Sequence, residues 1–555
     1  MELLTFFSPL LILVLSTILI IWKKKKPKPQ TSNQPPQPPK LPLIGNLHQV
    51  ICIQPHRRLA ELAKIYGPLM QLKLGQASAV VVSSPEIAKQ VLKDNDIKVS
   101  DRCRVSVADI LFYNRQNIGF APYGEYWRQM RKICILELLS SKRVQSFASI
   151  REEEISDFIR LIDSKRGSMI NLSEMALSLS NSIAARTVIG WKNKNQEAVV
   201  KVINRLLKEL GGFTVLDMFP SLEFIHVISG MKSRLVKLHK QADQLLEDII
   251  EEHKAELKLG VQSDANNNIL KVLLKLQANP DSLLTTDGIK AITLELFIAG
   301  IDSSATILEW VMSELMKNPR IMKNAQEEVR KKVCAKNGKL DESVTSELKF
   351  MKAIIKETLR LHPPGPLVPR QCRENCEING YNINPKTEVL VNVWVIGRDP
   401  NYWTEPENFN PERFIESEVD YKGFDFEYIP FGAGRRICPG IQLDITNLEL
   451  ALAKILCYFD WELPNQMKPD EFVEFRHIFR EQNRQNRILV FRFFTANTPS
   501  VLLVVSGNAT SINSHPPLHV LMLMLRGWKL ALRIDGTTSP FELLPSGAVN
   551  LVYET

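Results

Sequence analysis

A mostly α-helical chain with a small β lobe is what this sequence predicts, and three observations predict it. Long amphipathic stretches fill residues 144–259 and continue over 318–332. The run from Thr286 to Lys317 reads as one helix, and at ~1.5 Å per residue it would cross the whole molecule. Only a few short segments carry the β-branched, alternating pattern of strands.

In chain order, Leu3 to Trp22 is almost unbroken apolar sequence of the length that spans a bilayer. Lys23-Lys24-Lys25-Lys26 follows directly, and no lysine or arginine precedes it. The positive-inside rule therefore predicts a single-pass anchor (1–22) with the lysines and the body on the cytosolic side. A cleaved signal peptide would carry its basic residues before the apolar run and a small-residue cleavage site after it, and neither is present. Residues 23–42 form a basic, proline-rich hinge, with seven prolines between Pro27 and Pro42. Such a segment folds as neither helix nor sheet and acts as a stiff spacer.

The body is expected over 43–470, with an atypical tail over 471–555. Leu69 to Leu74 and Ala79 to Val82 are β-rich runs joined around Gly75-Gln76, which predicts a hairpin. Ser84, with Pro85 behind it, reads as the N-cap of a short helix running to Lys93. The long helix is expected to be capped at Thr286-Asp287 and to stop before Pro319. A second small set of strands is expected at Tyr381 to Ile383 and Glu388 to Val393.

Composition is ordinary for a globular chain, at 45% hydrophobic and 24% charged. The formal charge of +9 is spread thinly apart from the lysine run, so no nucleic-acid surface is indicated. The eight cysteines form no Cys-x-x-Cys pair, and Cys372 and Cys376 read as ordinary thiols. Free thiols suit a cytosol-facing body.

The chemistry concentrates in Phe431-Gly432-Ala433-Gly434-Arg435-Arg436-Ile437-Cys438-Pro439-Gly440. Cys438 is expected near the N-terminus of an apolar helix, where the dipole and unpaired N–H groups favour a thiolate. A thiolate is a soft ligand that suits iron. Gly434 and Gly440 allow positive φ or close approach where a side chain would strike a flat macrocycle. Arg436 offers a fork for a carboxylate such as a haem propionate. A buried structural cysteine is the plain alternative, and it leaves Phe431, the two arginines and the Pro-Gly step without a reason.

These ten residues resemble the haem-binding loop of the cytochrome P450 family, Phe-x-x-Gly-x-Arg-x-Cys-x-Gly, at Phe431, Gly434, Arg436, Cys438 and Gly440. Further segments are similar to family motifs in the expected order. They are Trp127-Arg128-Gln129-Met130-Arg131, Ala299-Gly300-Ile301-Asp302-Ser303-Ser304, Lys356-Glu357-Thr358-Leu359-Arg360 and Pro411-Glu412-Arg413-Phe414. The resemblance spans residues 30–470, and Tyr123-Gly124-Glu125-Tyr126-Trp127-Arg128 is most similar to plant microsomal members. It implies the cytochrome P450 fold, haem b as cofactor and Cys438 as the iron's ligand. Phe431 and Arg436 would bind the haem with Cys438, and Trp127, Arg131 and Arg370 would reach the haem propionates. Asp302 and Ser303 would deliver protons to dioxygen lodged in the groove at Ala299 and Gly300. The family usually has threonine where this chain has Ser303.

Each of these assignments has a plainer rival at the level of residues. The residues equally allow Ser303 to bond back to its own helix, Trp127 and Arg131 to form a surface cation–π pair, and Glu357 and Arg360 to be an exposed i, i+3 salt bridge. By the resemblance, Glu357, Arg360 and Arg413 instead lock the core around the haem loop. The chain has no flavin or nicotinamide fingerprint, so the electrons must come from elsewhere; the resemblance implies a separate membrane-bound NADPH–cytochrome P450 reductase docking near Lys132 and Arg435. The expected setting is the endoplasmic reticulum membrane. The expected substrate is a small apolar molecule held by Val105 to Phe120, Ile292 to Ile298 and Leu367-Val368. The wording is most similar to terpenoid oxidases, which points to a sesqui- or diterpenoid, with phenylpropanoid and alkaloid precursors open. Phe472 to Thr555 departs from the family pattern and reads as unrelated text, as a frameshift or retained intron would produce. The alternative function is therefore a catalytically silent haem- or ligand-binding membrane protein.

Overall fold

The computed structural model describes residues 33–462, apart from 53, 166–167, 169, 191–201, 203–204, 207–214, 223–229 and 260–267. The expected anchor, the lysine run and the first part of the hinge lie outside the described residues, as does the chain from 463 onward.

The β lobe begins with the predicted hairpin. Leu69–Leu74 (β1) and Ala77–Val82 (β2) pair antiparallel with Leu72 opposite Ala79. Ser84 then caps a helix, its hydroxyl accepting from the Ile87 N–H, with Pro85 at the first position. That helix is α-form from Pro85 to Lys89 and closes as a π turn through Asp94. Four strands follow much later: Leu367–Gln371 (β3), Cys376–Ile378 (β4), Tyr381–Ile383 (β5) and Glu388–Asn392 (β6).

The expected second set of strands is divided in the structure. β4 and β5 make a separate hairpin, but β6 joins the first sheet in the order β1-β2-β6-β3. β6 runs parallel to β2, with Val80 opposite Val389, and antiparallel to β3, with Arg370 also opposite Val389. β3 was not foreseen because Pro369 breaks a strand pattern. It is tolerated because β3 is the end strand of this sheet, where a missing N–H leaves no inner ladder broken. β3 thereby carries Arg370 into the interior, where the side chain is 1% exposed.

Five helices carry the site: Glu125–Ile133 (α1), Leu172–Ala184 (α2), Thr286–Lys317 (α3), Lys349–Leu361 (α4) and Ile441–Tyr458 (α5). The amphipathic stretches around them form Ala148–Asp163, Met231–Lys258 and Pro319–Ala335. The cap of α3 is Thr285, one residue earlier than expected, its Oγ1 accepting from the Gly288 N–H at 2.9 Å. Asp287 falls in the first turn, where the helix dipole favours it. The halves of α3 serve different cores. Ile289, Ile292, Phe297 and Ile301 pack with α1 and Met231–Lys258, whereas Ala305, Leu308, Val311 and Leu315 pack with α2, α4 and α5. The Ala299-Gly300 step lies near the change from one core to the other.

The charge pair on α4 is buried, not exposed. Glu357 and Arg360 are both fully inaccessible to water. Arg360 uses all five of its N–H donors: two on the Glu357 carboxylate (2.7 and 2.8 Å) and three on the carbonyls of Gly397, Pro406 and Asn408. Glu357 Oε1 also accepts from Arg413 Nε at 3.1 Å and from the Asn410 N–H at 2.9 Å. Trp403 lies under the guanidinium, 5.2 Å from its ring centroid. The 397–413 segment is thus held against α4 through two side chains, Arg360 and Glu357, and Tyr428 continues the contact by donating to the Lys356 carbonyl at 2.7 Å.

Removing one member of such a pair strands a charge without water, which costs ~3–5 kcal/mol. Glu357→Ala should lower the unfolding free energy by that order, read as a lower urea midpoint of the cofactor-loaded protein. Lys332→Ala, which breaks the exposed Lys332–Glu347 pair, should change stability by no more than ~0.5 kcal/mol. Equal midpoints for the two variants would contradict the role given to Glu357.

Candidate active site

The cysteine loop is shaped by its backbone before any side chain acts. Gly434 has φ +69°, and a Cβ there would strike the Leu92 carbonyl and press on the Asp96 carboxylate, so only glycine fits. Asp96 accepts from the Arg435 N–H at 3.1 Å and pairs with Arg435 Nε at 3.2 Å. The Cys438 N–H donates to the Phe431 carbonyl at 3.0 Å, closing the loop, and the Phe431 ring meets Tyr421 edge-on at 5.5 Å. Gly440 departs from expectation. Its φ is −89°, and an added Cβ would lie 3.8 Å from Cys438 Sγ, an ordinary contact.

The helix end alone does not make Cys438 a thiolate. Burial pushes the Cys438 thiol up to about 11, even though the Gly440 N–H donates to its sulfur. Loss of hydration outweighs the helix end here. A thiolate at this position therefore needs a cation to replace the proton, as metal binding does.

Around this loop the chain gathers four guanidiniums: Arg102, Arg131, Arg370 and Arg436. Arg436 donates to the carbonyls of Ser100 (2.6 Å), Ile118 (3.2 Å) and Ala121 (2.6 Å), and it lies 4.6 Å above the Trp127 ring. Its fork is spent on main chain. The Trp127 indole donates to the Ile118 carbonyl at 3.0 Å, so Trp127 is no surface residue, and the cation on its face is Arg436 rather than Arg131. Arg131 reaches the Ile437 carbonyl, and Arg370 reaches the carbonyls of Pro369 and Ala433. The Nε atoms of Arg131 and Arg370 are buried with no partner among the described residues. Arg102, which no motif marks, donates to the carbonyls of Pro369 and Gly119.

Burial lowers the pKa of all four arginines. Mutual repulsion adds to it, bringing Arg102 to about 10, Arg436 to about 9 and Arg370 well below its ordinary value. Such a cluster, with two orphaned donors, fits a cofactor bearing two carboxylate arms.

In its middle α3 opens. Ala299 is exposed and Gly300 partly so in a helix most of which is buried, and a Cβ on Gly300 would meet nothing within 4 Å. Asp302 is buried. Ser303 donates its proton to the Ala299 carbonyl at 2.7 Å, the back-bonded arrangement. The neighbouring Ser304 contacts the Gly300 carbonyl at 3.0 Å and the carboxyl of Asp444 in the first turn of α5. Burial pushes Asp444 up to about 6. A serine has one proton to give, so the two contacts are satisfied together when protonated Asp444 donates to Ser304 and Ser304 donates to Gly300. The linear sequence gives no signal for this pair, whose members stand 140 positions apart.

The sign of its pH effect follows. The native state holds the Asp444 proton up to about pH 6, and the usual carboxylate value is 3.8, so stability falls as pH rises through that window and is level above it. Asp444→Asn keeps a donor for Ser304 and removes the titration. It should gain on the unmodified protein by up to ~2 kcal/mol between pH 4.5 and 7.5, read from urea denaturation of the haem-loaded forms. A gap independent of pH would mean that Asp444 is ionised throughout.

Comparison with known proteins agrees with this arrangement. The sequence model of the family described as cytochrome P450 matches residues 35–486. Cytochrome P450 726A27 of Euphorbia lathyris is 54% identical over 452 residues, covering 81% of this chain and 89% of that protein. Costunolide synthase of Cichorium intybus is 47% identical over 447 residues, covering 80% and 90% respectively. In structure the chain is similar to a zebra fish cytochrome P450 solved with progesterone, with a TM-score of 0.65 at 24% identity over 74% of this chain and 93% of that one. With the cysteine loop, the arginine cluster and the opened helix in these positions, the chain belongs to the cytochrome P450 family of haem b monooxygenases.

Proposed function

We propose that this protein hydroxylates a hydrophobic plant secondary metabolite, a sesqui- or diterpenoid, using NADPH and dioxygen. The observation that carries the reading is the gathering of guanidiniums around the Cys438 loop, two of them with unpartnered buried Nε donors, together with the open Ala299-Gly300 step on α3. Haem b, when bound, supplies the redox chemistry that activates oxygen. Cys438 holds its iron through the sulfur, with Phe431 closing the loop behind it. Arg131 and Arg370 offer their unpartnered Nε donors to the propionates. Trp127 and Arg436 act at the same edge by fixing the main chain around it.

The remaining roles belong to this chain's own groups. Ser303 Oγ holds a proton on the Ala299 carbonyl, and a rotation about χ1 presents it to the groove. Asp302, one residue before, relays protons to it from solvent. Serine lacks the methyl that restricts this rotation in threonine, so looser coupling of oxygen consumption to product is expected. Val107, Leu111, Phe112, Ile118 and Ile292 pack in one apolar cluster with the first half of α3, and such surroundings suit a hydrocarbon. Likeness to costunolide synthase supports a terpenoid. Electrons come from a separate NADPH–cytochrome P450 reductase, the usual arrangement for this class, docking near Lys132 and Arg435. The setting is the endoplasmic reticulum membrane, with the apolar segment 3–22 as anchor.

The reduced, carbon-monoxide-bound protein should show the thiolate-type absorption band, and Cys438→Ser should lose it. No such band in the unmodified protein would sink the ligand assignment. Reductase-dependent turnover of a terpene panel then separates an enzyme from a silent haem binder. Ser303→Thr should lower the peroxide released per product about two- to fivefold, the scale of one restricted rotamer; unchanged leakage would contradict the proton role of Ser303.

A further inference from the structure

We infer that Glu295 is a positioning residue: it fastens the strap 116–121 to α3 and thereby sets both the pocket wall and the main chain on which Arg436 and Trp127 act. The carboxylate of Glu295 accepts three bonds from the strap. Oε2 takes the Ile118 N–H at 2.7 Å, and Oε1 takes the Gly119 N–H at 2.6 Å and Asn117 Nδ2 at 3.0 Å. From the opposite side, the Ile118 carbonyl receives Trp127 and Arg436, the Ala121 carbonyl receives Arg436, and the Gly119 carbonyl receives Arg102. The strap is therefore gripped between a carboxylate on α3 and two guanidiniums of the cofactor side.

Three further observations bear on this role. A Cβ on Gly119 would collide with Glu295 Oε1, so the close approach requires glycine at that point. Glu295, Ala299 and Ser303 are spaced i, i+4 and i+8 and share one face of α3, so the strap is anchored on the face that carries the groove. Glu295 is also the acid whose field favours the charged forms of Arg102, Arg131 and Arg436 together. The residues it places pack into the apolar cluster beside α3: Ile118 is buried, and Phe120 stacks on Phe112 at 5.8 Å. Gln116 has its own tethers, accepting from Tyr126 and Thr285, so the effect of Glu295 falls on 117–121. For its catalytic consequence the inference rests on the groove being the reaction side. The strap itself can be tested without that reading.

The experiment is amide hydrogen exchange on the haem-loaded protein, read at Ile118 and Gly119. Glu295→Ala should speed exchange in the strap by about tenfold or more, the scale of lost charge-assisted hydrogen bonds, with α1 and the thiolate-type spectrum unchanged. Gly119→Ala should give the same local signature by pushing the strap off the carboxylate. In turnover, both variants should raise KM and broaden the product distribution more than they lower kcat. Unchanged strap exchange in Glu295→Ala would overturn the inference. If that variant does not hold haem, Glu295→Gln is read in the same way, since it keeps the volume and one acceptor. Loss of haem from Glu295→Gln as well would also overturn it, by placing Glu295 in cofactor retention instead of strap positioning.

Discussion

The buried contact between Glu357 and Arg360 is the constraint on which the rest of the molecule depends. A guanidinium and a carboxylate taken wholly out of water are tolerable only when nearly every donor and acceptor is matched. Here the matching is complete on the arginine, through the partner carboxylate and three carbonyls 37 to 48 positions further along. That demand turns an irregular segment into a fixed one, because moving any of those carbonyls would leave a charge partly unsatisfied. The 397–413 stretch, the aromatic group of Trp403, Phe414 and Tyr428, and through Tyr421 the Phe431 ring then form one contiguous packing unit. The cysteine loop inherits its rigidity from it.

The cofactor side uses positive charge in another way. Four arginines are brought close together, and their pKa values fall because water is excluded and like charges are near. Left alone, that cluster would be a liability. It is held in place by main-chain carbonyls, and the Nε donors of Arg131 and Arg370 stay uncommitted. The thiol follows the same rule: desolvation keeps it neutral until a cation takes the proton's place. The site is thus preorganised for a dianionic, metal-bearing partner and is unfavourable without one.

How much of this was legible depended on distance along the chain. The ligand loop could be read because its cysteine, its glycine turn and its Pro-Gly step are contiguous. The Glu357–Arg360 pair could be read from i, i+3 spacing on one helix face, and so could the hairpin at Gly75 and the extent of α3. The sheet could not be fully read: β6 pairs with β2 across some three hundred residues, and β3 hides behind Pro369. Arg102, Glu295 and the Ser304–Asp444 pair were missed because each acquires its role from a partner on a distant segment.

The sequence by itself determined which atoms are available: one thiol in a glycine loop, a set of arginines, a hydroxyl beside two small residues on a long helix. These are properties of side chains and of local spacing, which neighbours along the chain fix. Only the tertiary structure decided how those atoms are used. It spent Arg436 on carbonyls, left the Nε atoms of Arg131 and Arg370 without partners, raised the Cys438 thiol, and turned Ser303 towards its own helix. Hydrogen-bond partners and desolvation are set by whatever other segments pack against a residue, and that information does not exist until the chain has folded.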